Sequence, residues 1–161
     1  MRVARTIELA DADATAALGA RIAPLLQPGD SVLLYGPLGM GKSTLARGLI
    51  RALTRPDEDV PSPTFTLVQF YETTPPIAHF DLYRLSRPDE AFEIGLDEAL
   101  DDGAALIEWP ERLGEDVRWA VGDNHLSITL SEDGPDPETA GRVATVLAAG
   151  SWETRIDHVF A

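Results

Sequence analysis

Short runs of hydrophobic residues alternate with turns rich in proline, glycine and acidic residues along the chain. The runs at 31–35, 77–81 and 104–108 are almost wholly apolar and have the length of buried strands. Residues 44–53 carry apolar side chains at helical spacing, and a helix capped by Asp11 or Asp13 is predicted to run to about Leu26. The pattern predicts an α/β fold.

The remaining apolar segments complete a mixed sheet. Strands are predicted at 2–9, 67–71, 125–131 and 142–148. The strands at 67–71 and 77–81 are expected to form one short antiparallel hairpin, and the last two strands a second hairpin around a turn at 134–137. Prolines in residues 60–66 are expected to hold that segment extended. Short helices are predicted at 86–100, interrupted at Gly95, and at 152–160.

Length and composition favour one domain, residues 1–161, with a core of its own, since 44% of the residues are hydrophobic. The sequence contains no cysteine, which excludes disulfides and cysteine-based metal sites or nucleophiles. No apolar stretch approaches the roughly 20 residues that cross a bilayer. The first residues lack the apolar region of a signal peptide, so we expect a cytoplasmic protein without membrane contact.

The net charge of −14 is unevenly distributed. Residues 1–55 carry seven basic and four acidic residues, and residues 56–161 carry six basic and 23 acidic residues. Such an acidic surface repels a phosphate backbone, although acidity also simply promotes solubility. Any contact with nucleic acid is therefore expected to go through a basic partner.

One segment carries a specific chemical signal. Residues 36–43 have the spacing G-x-x-x-x-G-K-S of the Walker A loop, between a predicted strand and a predicted helix. Its lysine, Lys42, is the only lysine of the chain. Backbone N–H groups of such a loop surround phosphate oxygens, the lysine reaches the β- and γ-phosphates, and the serine offers its hydroxyl to Mg²⁺. The predicted nucleotide-binding residues are Gly36, Pro37, Leu38, Gly39, Met40, Gly41, Lys42, Ser43 and Thr44, and outside the loop Trp109.

Two carboxylates, Asp81 and Glu108, stand at the carboxyl ends of predicted strands, where open α/β sheets bind ligands. One is a candidate to hold Mg²⁺, and the other to orient the attacking water or to sense the γ-phosphate. Of the two, Glu108 is our choice for the metal side, together with Ser43, and Asp81 for the water or switch side. The alternative for each is a helix cap or a surface acid.

Other candidate residues near these carboxylates each have a functional and a structural interpretation. Thr64 and Thr66 are candidate γ-phosphate sensors, or ordinary β-branched residues of a sheet edge. Trp109 is placed to stack on a base or to close the site, although a tryptophan there is more often core or interface. His79 shares a strand face with Asp81 and is expected to be packed rather than catalytic.

Five blocks in order resemble the TsaE family, bacterial ATPases needed to make threonylcarbamoyladenosine (t6A) in transfer RNA. They are the loop at 36–44, the S-P-T-F segment at 62–65, the H-x-D-x-Y-R block at 79–84, Ile94-Gly95-Leu96, and 107–112 with its Glu-Trp-Pro. Two loop positions depart from the family pattern: Pro37 replaces an acidic residue, and Met40 replaces a small one. The resemblance implies a P-loop NTPase-like domain, a three-layer α/β fold with a mixed central sheet and short β-hairpins.

By the same resemblance, Lys42 binds phosphate, Ser43 and Glu108 coordinate Mg²⁺, and Asp81 and Trp109 are active-site residues. Members of the family hydrolyse ATP weakly alone and act with a complex of the TsaB and TsaD proteins. Transfer RNA is then contacted indirectly, through those partners. The implied function is ATP hydrolysis that drives or resets this carbamoyl-transferase complex.

Three other functions are alternatives to this one. A small-molecule kinase needs lid arginines, and the six arginines beyond residue 55 form no cluster. A GTPase needs an N-K-x-D segment, which a chain whose one lysine is Lys42 does not contain. A nucleotide-dependent scaffold with incidental hydrolysis is compatible with the sequence.

Overall fold

In the computed structural model, the described part of the chain forms one mixed sheet of seven strands with helices on both faces. The structure describes residues 3–37, 39–133 and 141–160, and the turn predicted at 134–137 lies outside them. The strands are β1 (Val3–Leu9), β2 (Ser31–Tyr35), β3 (Val68–Tyr71), β4 (Ile77–Asp81), β5 (Ala104–Glu108), β6 (His125–Asp133) and β7 (Gly141–Ala148). The α-helices are α1 (Ala12–Ile22), α2 (Lys42–Leu53), α3 (Glu90–Glu93), α4 (Leu96–Asp102), α5 (Arg118–Val121) and α6 (Trp152–Val159).

The strand order is β1-β7-β6-β2-β5-β4-β3. The four central strands β6, β2, β5 and β4 are parallel, and antiparallel strands complete the sheet on both sides. The mixed sheet and the two predicted antiparallel strand pairs are thus confirmed. Because parallel strands end at one edge, the carboxyl ends of β2, β4 and β5 lie together, and Asp81 is in register with Glu108.

Alternate residues of the central strands pack into two separate cores, one on each face of the sheet. The domain therefore has three layers, with the sheet between two layers of helices. In β2, Val32 and Leu34 pack into the core beneath α1, α2 and α6, whereas Leu33 packs into the core beneath α4 and α5. In β5, Leu106 and Ile107 divide between the two cores in the same way. Because side chains alternate between the two faces of a sheet, the position of a residue in its strand decides on which face a side chain at the strand end lies.

Helices α1 and α2 approach closely because each has a glycine that faces the backbone of the other helix. A Cβ built on Gly48 would lie 2.2 Å from the carbonyl oxygen of Ala16, and one built on Gly19 would lie 2.2 Å from that of Leu45. No larger side chain fits at either position without moving a helix. The contact fixes α2, whose first turn carries the Walker residues, against the rest of the domain.

Of the predictions about local structure, the end of the first helix needs refinement and the extended segment at 60–66 was wrong in part. Helix α1 ends at Ile22 and continues only as a 3-10 helix at Ala23–Leu25, because Pro24 lacks the N–H that an α-helix needs. The segment at 60–66 is not extended throughout. Its second half turns, with the N–H of Leu67 donating to the carbonyl of Pro63 at 2.7 Å. Proline fixes φ at a value that suits such a turn.

In the part of the chain that the structure describes, every helix is too short or too polar to span a lipid bilayer.

Candidate functional site

The glycine-rich loop joins the end of β2 to the first turn of α2. Gly36, Gly39 and Gly41 have φ values of 132°, 81° and 101°, which side-chain-bearing residues rarely adopt. At Gly36 a Cβ would also lie 2.6 Å from the carbonyl oxygen of Leu130. Gly41 caps α2, a 12-residue helix whose N-terminus favours negative charge. Of the predicted loop residues, Leu38 lies outside the described residues.

Lys42 is buried, with 5% of its surface exposed. Its Nζ donates a hydrogen bond to the carbonyl of Gly36 at 2.7 Å and lies 3.4 Å from the centre of the Trp109 ring. Burial lowers the pKa of the Lys42 ammonium, and the charges of Glu111, Glu108 and Asp81 oppose that shift. The ammonium is thus held between a carbonyl and an aromatic face, with carboxylates close enough to favour its charge.

Glu108 is held by both of its oxygens. Ser43 Oγ donates to Oε1 at 3.1 Å, and His79 Nε2 donates to Oε2 at 2.7 Å. His79 and Glu108 are 1% and 3% exposed, so solvent does not compete for these bonds. The carboxylate end of β5 is therefore oriented toward the first turn of α2 by a residue of the neighbouring strand β4.

Asp81, at the end of β4, is likewise constrained. Thr64 Oγ1 donates to Asp81 Oδ2 at 3.3 Å, and the backbone N–H of Tyr83 donates to Oδ1 at 3.0 Å. Ser62 and Thr64 share a hydroxyl contact of 2.9 Å. The turn at 63–67 thus places Thr64 against a strand-end carboxylate on the same side of the sheet as Lys42.

Thr66 occupies a different environment from Thr64. It is exposed, and its hydroxyl accepts a hydrogen bond from Gln69 Nε2 at 3.0 Å. The turn sends alternate threonines in different directions, so only Thr64 reaches the site.

A cavity of about 290 Å³ brings most of the predicted residues together. The lining residues that sequence analysis proposed are Gly39, Gly41, Lys42, Ser43, Thr44, Thr64, Asp81, Glu108 and Trp109. Pro37 is exposed, and Met40 packs partly against the core beneath α1 and α2. Gly36 takes part through its carbonyl, which accepts from Lys42.

Trp109 closes one side of the cavity. Its backbone is left-handed, with φ at 60°, and Pro110 begins a 3-10 helix directly after it. The ring packs against Tyr83, with centroids 4.9 Å apart, as well as against the Lys42 ammonium. A positive φ in a bulky residue is costly, and surrounding contacts must maintain it.

Sequence reasoning missed two contributions to the site. His79 was expected only to pack, although its alternation with Asp81 already put both on one face of β4. A second cavity of about 220 Å³ adjoins the loop at Gly39, Gly41 and Thr44, and its far wall comes from Asp11, Thr15 and Arg142. Arg142 Nη2 donates to the carbonyl of Gly39 at 3.3 Å across 103 residues of sequence, which no local pattern signals.

The Ser43 hydroxyl at the start of α2 and the Glu108 carboxylate at the end of β5 fit a Mg²⁺ ion. Ser43 Oγ and Glu108 Oε1 are neighbours at 3.1 Å and face the cavity that Lys42 lines. Hydroxyl and carboxylate oxygens are ligands that Mg²⁺ prefers, and the ion usually takes few from protein and the rest from water and phosphate. Among the described residues no cluster of three acidic or histidine side chains offers an all-protein metal site.

Comparisons with known proteins agree with this architecture. The model of the family described as "Threonylcarbamoyl adenosine biosynthesis protein TsaE" matches residues 9–140. The tRNA threonylcarbamoyladenosine biosynthesis protein TsaE of Streptomyces coelicolor is 37% identical over 142 residues, which are 85% of this chain and 93% of that protein. Its counterpart in Mycobacterium tuberculosis is 32% identical over 157 residues, 91% of this chain and 86% of that protein.

Other relatives match over a shorter region. The TsaE protein of Rickettsia felis is 44% identical over 98 residues, 60% of this chain, and the match spans 57% of that protein's own length.

The crystal structure of Bacillus subtilis YdiB superposes with a TM-score of 0.77 at 25% identity, covering 99% of this chain and 96% of that one. The fold is therefore that of a P-loop NTPase-like domain.

Proposed function

This chain belongs to the TsaE family, which takes part in the biosynthesis of t6A in tRNA, and we propose that it is a Mg²⁺-dependent P-loop ATPase of that pathway. In this proposal it hydrolyses ATP to ADP and phosphate, weakly by itself. The observation that carries the proposal is the hydrogen bond from Ser43, in the first turn of α2, to Glu108, at the end of β5. It joins the Walker loop to a strand-end carboxylate, as metal-assisted phosphoryl transfer requires.

The cavity residues divide into phosphate, metal and water roles. The Lys42 ammonium and the N-terminus of α2 bind the β- and γ-phosphates. Ser43 and Glu108 would hold Mg²⁺, and the ion would supply positive charge to the phosphate oxygens. Asp81, oriented by Thr64 and by the N–H of Tyr83, positions the attacking water. Trp109 excludes bulk water beside Lys42.

We propose that the nucleoside lies in the second cavity. It shares Gly39, Gly41 and Thr44 with the phosphate cavity, so a base joined to the phosphates reaches it without crossing the protein. Its walls at Thr15 and Arg142 offer a hydroxyl and a guanidinium for a ribose or a base. The proposal therefore assigns the β1–α1 connection and the start of β7 to nucleotide binding.

The charge of the chain suggests how an acidic protein serves a reaction on tRNA. Residues 56–161 carry six basic and 23 acidic residues, so binding of tRNA by this surface alone is electrostatically unfavourable. We propose that the protein acts on a complex of TsaB and TsaD, which holds the tRNA, and that its ATP hydrolysis drives or resets that complex between turnovers. The segment around Thr64 is the proposed element that reports the γ-phosphate to the partner.

Reconstitution tests the proposal. We expect ATP hydrolysis to accelerate when the cognate TsaB–TsaD complex is added, and t6A formation to need this protein together with ATP. We expect no measurable tRNA binding by the isolated chain at physiological salt. Tight tRNA binding by the chain alone, with hydrolysis indifferent to TsaB–TsaD, would overturn it. Modification that proceeds equally with a non-hydrolysable ATP analogue would favour the nucleotide-dependent scaffold.

A further inference from the structure

Strand β3 (Val68–Tyr71) forms one end of the sheet, and among the described residues it pairs only with β4. The N–H of Asp81 donates to the carbonyl of Leu67 at 2.9 Å. In an antiparallel ladder the residues that face the partner alternate, so Gln69 and Tyr71 also turn their backbone groups toward β4. Val68 and Phe70 consequently direct their N–H and C=O groups away from the sheet, where another strand is able to pair with them.

Apart from its short length, this edge lacks the features that usually prevent pairing. Natural edge strands carry charges, proline or a bulge, or are covered by another element. Strand β3 reads Val-Gln-Phe-Tyr and contains neither a charge nor a proline. Its Phe70 is 65% exposed. The strand is short, so it offers room for a paired segment of only a few residues.

A groove runs beside the exposed edge, on the face of the sheet that carries α3 and α4. Phe70 lies opposite Ala78 on β4 and forms one wall, and Ile94 and Ala99 form the other. The cavity measures about 430 Å³. It is a place where an apolar side chain from a paired strand would be removed from water.

The rim of the groove is acidic. Glu72 follows β3, Glu93 ends α3, and Glu98 and Asp102 lie one turn apart on α4. All four are exposed, and none of the described residues that line the groove is basic. Glu93 contacts Arg87 at 3.4 Å, but both side chains are more than half exposed, so that pair is weak.

We propose that the groove beside β3, lined by Phe70 and rimmed by these four carboxylates, binds an extended basic segment of a partner protein. The segment pairs with β3 as an added strand and places one apolar side chain against Phe70 and Ile94. Lysine or arginine residues two positions before and after it lie on the same face and meet the rim. The acidic rim gives charge selectivity, and the strand pairing gives orientation.

Two other occupants of the groove are disfavoured by charge. A second copy of this chain would bring the same four carboxylates against their equivalents, which is repulsive. A nucleic acid strand would bring phosphates against them. A basic peptide segment complements both the carboxylates and the open backbone edge.

The proposal extends the proposed function without depending on nucleotide hydrolysis, and its test needs no nucleotide. The probes are two acetylated and amidated peptides, Ser-Arg-Thr-Val-Thr-Arg-Ser and Ser-Glu-Thr-Val-Thr-Glu-Ser. Each is titrated to millimolar concentration into the full chain, and amide chemical shifts are followed by NMR. We expect the arginine peptide, and not the glutamate peptide, to shift the amides of Val68 and Phe70.

Variants test whether peptide binding depends on the groove itself or only on the overall acidity of the chain. Phe70→Ser removes the apolar wall and is expected to weaken binding of the arginine peptide about tenfold. Glu98→Lys reverses one rim charge and is expected to weaken it about fivefold. Glu8→Lys makes the same charge change on β1, the opposite edge strand, and should leave binding unchanged. Spectra of the free variants that match the wild type outside the changed sites show that the fold is retained.

Three results would each overturn the proposal. The first is an absence of shifts at β3 up to millimolar arginine peptide. The second is equal binding of the two peptides. The third is binding that survives both Phe70→Ser and Glu98→Lys.

Discussion

At the scale of single residues, Lys42 is the clearest test of the proposed phosphate site. Its ammonium is within hydrogen-bond distance of the loop and rests on Trp109. We expect Lys42→Ala to lower ATP turnover by at least about 100-fold, because a cation beside the transferred phosphoryl group is lost. Lys42→Arg should restore only part of the activity, since a planar guanidinium does not fit the space between the Gly36 carbonyl and the Trp109 ring.

Circular dichroism and thermal melting provide the control for Lys42→Ala. The native far-ultraviolet spectrum should be retained, because the ammonium lies at the cavity and outside both cores. Wild-type turnover in a folded Lys42→Ala protein would contradict the Walker assignment.

The contacts of His79 indicate a role that the sequence did not predict. Its Nε2–H donates to Glu108 Oε2 at 2.7 Å, so we expect it to position the carboxylate that we propose binds Mg²⁺. His79→Leu should weaken ADP binding in the presence of Mg²⁺ by about tenfold, as loss of an outer partner of a metal ligand usually does. His79→Gln keeps an N–H donor and should restore much of the loss.

Calorimetric titration of ADP with and without Mg²⁺ distinguishes positioning from a general structural defect in the His79 variants. A positioning role predicts that affinity without Mg²⁺ stays near that of the wild type. Equal losses with and without the ion would show that His79 acts only by packing.

At the scale of elements, the turn at 63–67 separates two threonines that look equivalent in the sequence. Thr64 reaches Asp81, whereas Thr66 bonds Gln69. We expect Thr64→Val to lower ATP turnover about fivefold, because a hydrogen bond to a charged oxygen is lost. Thr66→Val is the matched control and should keep wild-type turnover.

Steady-state ATPase assays of both threonine variants are the measurement. A larger loss for Thr66→Val than for Thr64→Val would mean that the turn rearranges before hydrolysis. Thr66 would then be the γ-phosphate sensor, as the sequence alone also allowed.

At the scale of the whole molecule, an ion pair ties the C-terminal helix to the start of the central strand. Arg155 on α6 donates to both oxygens of Asp30, at 2.6 and 3.0 Å, and these side chains are 13% and 3% exposed. Asp30 also accepts from the N–H of Gln27. Removing one member of such a buried pair leaves the other charge uncompensated.

We expect Asp30→Ala to lower the free energy of unfolding by about 3 kcal/mol. Asp157→Ala removes an exposed partner of Arg5, in a pair of 2.8 Å, and should change it by less than about 0.5 kcal/mol. Urea denaturation measures both. Similar losses for the two variants would show that burial does not set the strength of the Asp30–Arg155 pair.

The fold could be predicted from the sequence wherever local pattern decides the outcome. Strands β2, β4 and β5 are short apolar runs that end where the run ends, and the break at Gly95 between α3 and α4 coincides with a φ of 96°. The glycine spacing of 36–43 indicated a phosphate loop, because only glycine tolerates the dihedral angles that point N–H groups inward. The proximity of Asp81 and Glu108 could be predicted because the strands of a parallel sheet end at one shared edge.

Contacts between residues far apart in the chain were decided by the tertiary structure. The bond from His79 to Glu108 depends on the register of β4 against β5, and that from Arg142 to Gly39 depends on the position of β7 in the sheet. Thr64 rather than Thr66 meets Asp81 because the chain turns after Pro63 instead of remaining extended. A sequence specifies which backbone angles each residue favours, but sheet register and packing determine which side chains meet.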